Sequence, residues 1–232
     1  MFPVSQSVSQ FHSGGQSITF DSFIPEGQQR RFPAILGLHG SGGGHATMSD
    51  PAAMLAHQGF AVFVPHYFDR TGTRGVADRH TAIRQFPLWG KTVWDAITHV
   101  QQHPLVDPEA VGLVGFSLGA YLALSVAAVD QRVKAVVDFF GGFPKEMKFF
   151  MRRLCPTLIL HGDADPTVPV TEAYHLQEIL EKRAIPYEMQ IYPGAGHGFT
   201  GDIWQDARRR TLAFLQKYLA APQEPASTNV GS

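Results

Sequence analysis

The chain has 232 residues, of which 44% are hydrophobic, 17% charged and 11% aromatic, a balance that suits one globular domain and excludes a collagen, a coiled coil or a disordered chain. Lys and Arg number 19 against 20 for Asp and Glu, so the net charge of -1 leaves no electrostatic footprint for nucleic acid or anionic lipid and points to small-molecule partners. The single cysteine, Cys155, excludes a disulfide framework within the chain, and a core of this size needs neither disulfides nor a structural metal.

The opening MFPVSQSVSQFHSGG carries neither a basic n-region nor an apolar h-region, so no secretory signal is read and a cytoplasmic location is expected. Ser17 to Ile24 and Pro33 to Leu38 are strand-like runs separated by the turn signal Pro25, Glu26, Gly27, which predicts an opening hairpin or edge pair. Phe60 to Pro65, Ala110 to Phe116, Val133 to Phe139, Thr157 to His161 and Tyr187 to Tyr192 are short, apolar and β-rich. Runs without polar alternation predict strands buried on both faces of a mostly parallel sheet. Helices are expected over Pro51 to His57, Pro87 to Gln102, Leu118 to Val129, Thr171 to Lys182 with Thr171 as N-cap, and Trp204 to Leu219.

This β-α order predicts an α/β class fold, a mostly parallel doubly wound sheet with helices on both faces, in a single domain over residues 1–220. A polar tail over 221–232 is expected to fray. Val111 to Val129 is uncharged and long enough for a bilayer, yet three glycines interrupt it. Its β-rich first half and Ala/Leu-rich second half predict two short elements meeting at a turn, with no membrane span.

That turn contains Gly115, Phe116, Ser117, Leu118, Gly119, a G-x-S-x-G placed between strand and helix. Flanking glycines remove the Cβ atoms that would block a sharp turn, leaving the Ser117 Oγ exposed above the sheet edge. The Leu118 amide, at a helix N-terminus, is a candidate donor to a developing oxyanion. The second donor is expected after the early strand, where His39, Gly40, Ser41, Gly42, Gly43, Gly44 leave amides accessible; Ser41 is preferred, with Gly42 next. No Gly-Lys-Ser/Thr or G-x-G-x-x-G accompanies these glycines, so a phosphate loop is not read.

Downstream, Asp165 lies in a loop after an apolar strand and His197 in a Gly-rich loop after the last strand. Parallel strands bring both loops to the rim that holds Ser117, in the order Ser, Asp, His used by hydrolases of this topology. Ser117 is then the nucleophile, His197 the base and Asp165 the group that orients it. Asp163 and Asp138 compete as the acid; Asp163 is read as a turn residue and Asp138 as a strand-end hydrogen-bonding residue.

LHGSGGG, GFSLGA, LHGDADPTVPV and YPGAGHGF together resemble the dienelactone hydrolase family of the α/β-hydrolase superfamily, over Ile18 to Leu219. The resemblance implies cleavage of an ester or lactone through an acyl-enzyme, without cofactor or metal and with little or no cap domain. The family's namesake enzymes use cysteine as nucleophile; Ser117 stands there instead, which favours a general carboxylesterase. The alternatives are a peptidase or acyltransferase with the same triad, or a non-catalytic binding protein of the same fold.

Phe116 and Phe140 are candidate substrate contacts, and Phe139, Phe143, Phe149 and Phe150 are further candidates for an acyl pocket against a simple core role. Arg70, in a connection from His66 to Pro87 that also holds Arg74, Arg79 and Arg84, is a candidate clamp for a substrate carboxylate. His99 and His103 are read as helix-surface histidines rather than metal ligands, and Cys155 as a structural thiol. Either a monomer or a homodimer is compatible with the sequence.

Overall fold

The computed structural model describes residues 1–27, 30–76, 78–145, 147 and 151–219; the predicted tail over 221–232, together with Phe149, Phe150 and the Arg79 side chain, lies outside the described residues. Among the described residues eight strands form one sheet: β1 (Val4–Ser13), β2 (Gln16–Pro25), β3 (Phe32–Leu38), β4 (Ala61–Pro65), β5 (Val106–Phe116), β6 (Val133–Phe139), β7 (Thr157–Gly162) and β8 (Tyr187–Tyr192). Their spatial order is β1-β2-β4-β3-β5-β6-β7-β8. β1 and β2 form an antiparallel hairpin and β2 runs antiparallel to β4, whereas every pairing from β4 to β8 is parallel.

The expected pairing of Ser17–Ile24 with Pro33–Leu38 does not form, because β2 is taken by β1 on one side and β4 on the other. β3, buried along nearly its whole length, sits between β4 and β5 in the sheet interior. β1 escapes the sequence reading because its Ser/Gln alternation lacks an apolar signature; only Phe11 and Ser13 of its residues are buried.

The helices are α1 (Ser49–His57), α2 (Arg79–Val100), α3 (Leu118–Ala127), α4 (Thr171–Lys182) and α5 (Gly201–Leu219). α2 starts earlier than Pro87, which lies inside it. Asp78 caps the helix, its carboxylate accepting the Thr81 amide and hydroxyl, both at 2.8 Å. The supposed long loop is thus a 3-10 turn over Tyr67–Thr71 and the first turns of α2. At α4 the cap position is Val170, without a side-chain bond, so Thr171 is a helical residue rather than the N-cap.

Alternate residues of each central strand enter opposite layers. Leu113 belongs to one buried layer together with Trp89 and Val93 of α2, Leu122 of α3 and Leu176 of α4, while Val114 belongs to the other with Leu55 of α1 and Phe214 of α5. The uncharged stretch 111–129 divides between β5 and α3, and among the described residues no helix is long and apolar enough to cross a membrane. Cys155 is buried in the first layer, where desolvation pushes its thiol up to about 12.

Candidate active site

Ser117 joins β5 to α3 with φ 54 and ψ -118, a left-handed backbone that few non-glycine residues adopt. The turn closes only because its neighbours are bare. A Cβ on Gly115 would lie 2.4 Å from the Gly119 carbonyl oxygen, and one on Gly119 would lie 2.1 Å from that of Leu38. The Ser117 amide donates to the Phe139 carbonyl at 2.9 Å, while its own carbonyl accepts from Ala120 in the first turn of α3. This clamps the backbone and leaves the hydroxyl at the C-terminal rim of the sheet.

The loop after β7 carries Asp165, 9% exposed, whose Oδ1 accepts the amides of Thr167 and Val168 at 2.8 and 2.9 Å. Burial would raise this carboxyl, but the amides and the His197 ring outweigh it and hold it below the usual carboxylate value. His197, in the loop after β8, completes the chain: Nδ1 lies 2.7 Å from Asp165 Oδ2 and Nε2 lies 3.0 Å from Ser117 Oγ. An ionised Asp165 accepts only, so Nδ1 carries the proton and Nε2 presents a lone pair to the serine hydroxyl.

Several neighbours hold this geometry, and their roles were not all legible beforehand. Asp163 Oδ1 accepts the Gly194 amide at 2.7 Å, and the Ala164 amide donates to Ala195 at 3.1 Å, so the acid loop and the histidine loop are joined directly. His161, fully buried, donates Nε2–H to the Val168 carbonyl at 2.9 Å and backs the Asp165 turn. Desolvation lowers the His161 pKa, which keeps the ring neutral there. Asp138, also fully buried, accepts the Gly141 amide at 2.8 Å, fixing the turn after β6. In that turn Phe140 has φ 43, and its ring meets the His197 imidazole edge to face at 4.9 Å.

Phe116 stacks on Phe139 at 4.4 Å and is half-buried, whereas Phe139 and Phe143 are core side chains. Phe199 packs edge-on against Phe140 at 5.2 Å, so an aromatic wall backs the histidine. The Gly-rich turn passes beside the nucleophile: a Cβ on Gly40 would come within 3.5 Å of the Ser117 Cβ. Ser41 is exposed, and its carbonyl accepts the Val76 amide at 2.8 Å. The turn is entered through His39, 2% exposed, whose ring stacks on Tyr67 at 4.2 Å and donates Nδ1–H to Gly40. Burial lowers the His39 pKa to about 4, so this ring stays neutral at ordinary pH.

Two expectations are corrected. The Arg70 guanidinium is engaged away from Ser117: it donates to the Ser13 carbonyl on the β1-β2 hairpin, and β4 and β3 separate that hairpin from β5. The turn over Tyr67–Thr71 aims the side chain at the sheet edge. His99 and His103 are not a surface pair on one helix. His99 packs between Phe11 and Phe20, while His103 lies beyond the end of α2 against Phe63. Burial lowers both, and among the described residues no cluster of His, Cys, Asp or Glu forms a metal site.

Comparison with known proteins places the chain in a family and a fold. Residues 20–221 match the dienelactone hydrolase family. The carboxymethylenebutenolidase of Rhodococcus opacus is 28% identical over 189 residues, covering 72% of this chain and 74% of that protein. The crystal structure of a dienelactone hydrolase-like promiscuous phosphotriesterase from metagenomic libraries superposes with a TM-score of 0.78 at 17% identity, over 93% of this chain and 98% of the other. An esterase from Thermogutta terrifontis gives a TM-score of 0.72 at 20% identity, over 94% and 95% of the two chains. These overlays share the α/β-hydrolase fold described above.

Proposed function

The chain belongs to the dienelactone hydrolase family and is an ester- or lactone-cleaving hydrolase; from that premise we propose that it works as a cofactor-independent serine hydrolase through an acyl-enzyme. The observation that carries this reading is the continuous hydrogen-bond chain Ser117 Oγ, His197, Asp165, with links of 3.0 and 2.7 Å.

Ser117 Oγ attacks the carbonyl carbon while His197 Nε2 takes its proton. Asp165 holds the tautomer that makes Nε2 the acceptor and offsets the positive charge that then forms on the ring. The oxygen of the tetrahedral intermediate receives hydrogen bonds from the Leu118 amide and from the Gly-rich turn, with Ser41 as the second donor. Collapse breaks the bond to the alcohol oxygen, which takes the proton back from His197. A lactone keeps that alcohol tethered to its own acyl group. Water, deprotonated by the same nitrogen, then releases the acid and restores Ser117.

Phe116, Phe140 and Phe199 supply apolar surface beside the nucleophile, which favours small neutral acyl groups. Turnover of p-nitrophenyl butyrate beside a dienelactone, by the wild type and Ser117→Ala, tests the reading. Ser117-dependent hydrolysis of the simple ester alone makes the protein a general carboxylesterase on this scaffold. Preference for the dienelactone means that serine replaces the family's cysteine for that substrate. Hydrolysis unchanged in Ser117→Ala overturns the assignment.

A further inference from the structure

The sheet has two outer strands whose free edges differ in chemistry. β8, YEMQIY, is six residues long, follows Pro186 and carries Glu188, which accepts from Lys217 of α5 at 2.9 Å. Brevity and charge are devices that keep an edge from pairing with another sheet. β1 has neither. It runs ten residues, pairs with β2 in unbroken register, and contains no Lys, Arg, Asp, Glu or Pro. Every residue from Ser5 to Gln10 is exposed, and Val8 is 65% exposed.

The hairpin decides which backbone groups of β1 face outward. Ser13 and Gln16 flank a two-residue turn, Gly14 and Gly15, with φ 50 and 81, and therefore form the closing pair that exchanges both backbone hydrogen bonds. Positions alternate from there: Ser13, Phe11, Ser9, Ser7 and Ser5 turn to β2, while His12, Gln10, Val8, Gln6 and Val4 offer their N–H and C=O outward. This outward set is symmetric about Val8. So is the sequence, since Gln6, Ser7, Val8, Ser9, Gln10 reads the same in both directions. A second β1 laid antiparallel about a two-fold at Val8 brings Val8 to Val8, Gln6 to Gln10 and Val4 to His12. Each outward residue then meets an outward residue, with no like charges opposed.

The geometry points to β1 as the interface of a two-fold homodimer in which the two sheets join edge to edge through strands paired about Val8. β1 is the strand farthest from β5 in the sheet, so the union leaves Ser117 open and turnover per chain unaltered.

Sedimentation velocity of the full chain between about 1 and about 200 μM detects the dimer, a range chosen for an interface held mainly by backbone hydrogen bonds. Val8→Pro removes an outward N–H that β2 does not use, and Val8→Lys sets two ammonium groups together at the two-fold. Both weaken association at least about tenfold, with unchanged melting and unchanged esterase turnover. Mixing Val8→Lys with Val8→Glu restores the dimer. Oxidation links Val8→Cys into a covalent dimer, since opposed Cα atoms there lie about 5.5 Å apart. It does not link Gln6→Cys, whose two copies lie about 13 Å apart along the strands. Buried Cys155 does not compete. A wild type monomeric throughout the range overturns the proposal, as does a dimer that survives both Val8→Pro and Val8→Lys. Gln6→Cys linking as readily as Val8→Cys also overturns it.

Discussion

Asp138→Asn isolates the energetic cost of the acid buried beneath the nucleophile turn. Asp138 is fully buried; Oδ1 accepts the Gly141 amide at 2.8 Å, while Oδ2 has no partner among the described residues. Desolvation raises its pKa from 3.8 to about 7, only partly opposed by the Gly141 bond. The folded pKa lies above the unfolded one, so between pH 3.8 and about 7 the native state holds a proton that the unfolded chain has released. Stability is therefore highest below that window and declines as pH rises through it. At 1.36 kcal/mol per pK unit, the full decline attributable to Asp138 is about 4 kcal/mol.

Asn keeps the acceptor for Gly141 but cannot ionise. Its NH2 group takes the place of the partnerless Oδ2, at a cost of about 1–3 kcal/mol. Urea unfolding of wild type and variant from about pH 4 to about pH 8 should therefore give crossing stability curves, the variant weaker in acid and stronger in base. Taking the difference between the two proteins cancels every other titrating group. A difference that stays constant across this range refutes a raised carboxyl at Asp138.

Asp165→Asn should lower kcat by about 10⁴, whereas Asp163→Asn, which weakens one bond to the histidine loop, should cost about tenfold; steady-state kinetics in the reverse order would make Asp163 the acid. In Gly162→Ala the new Cβ would meet the Ala195 carbonyl oxygen at 2.1 Å and push back the loop bearing His197. Ester turnover should drop about 100-fold in a chain that still folds by circular dichroism, and near-normal turnover would show that His197 tolerates the displacement. Arg70→Ala should leave the ratio of anionic to neutral ester turnover unchanged and lower stability by about 1 kcal/mol through loss of the guanidinium bond to the Ser13 carbonyl, which keeps the Gln16 amide as its other partner. Selective loss of the anionic substrate would return Arg70 to the site.

The parts legible in the sequence are those whose local chemistry is self-sufficient. β6 and α4 fall on their predicted bounds because a buried apolar run and a regular helical face announce themselves, and β8, a half-buried edge strand, does so through its Tyr, Met and Ile residues. Ser117, Asp165 and His197 are legible because strand-loop context fixes the rim on which each lies. β1 is hidden because its stability comes from pairing with β2 rather than from an apolar face. The start of α2 is hidden because Pro87 reads as a first-turn residue, whereas Asp78 sets the beginning through bonds to Thr81. Arg70 is misread because sequence gives proximity to the rim but not direction. The supports around the site, His161 beneath the acid and Phe140 against the imidazole, depend on contacts made only when distant loops meet.

The most direct measurement of the proposed mechanism is intact-protein mass spectrometry after treatment with a fluorophosphonate, followed by peptide mapping. An activated serine reacts and an ordinary hydroxyl does not, so the wild type should gain one phosphonyl group on the peptide containing Ser117. Asp165→Asn should label far more slowly, and Ser117→Ala not at all. A wild type that remains unlabelled, or a Ser117→Ala variant that labels equally, would contradict Ser117 as the nucleophile.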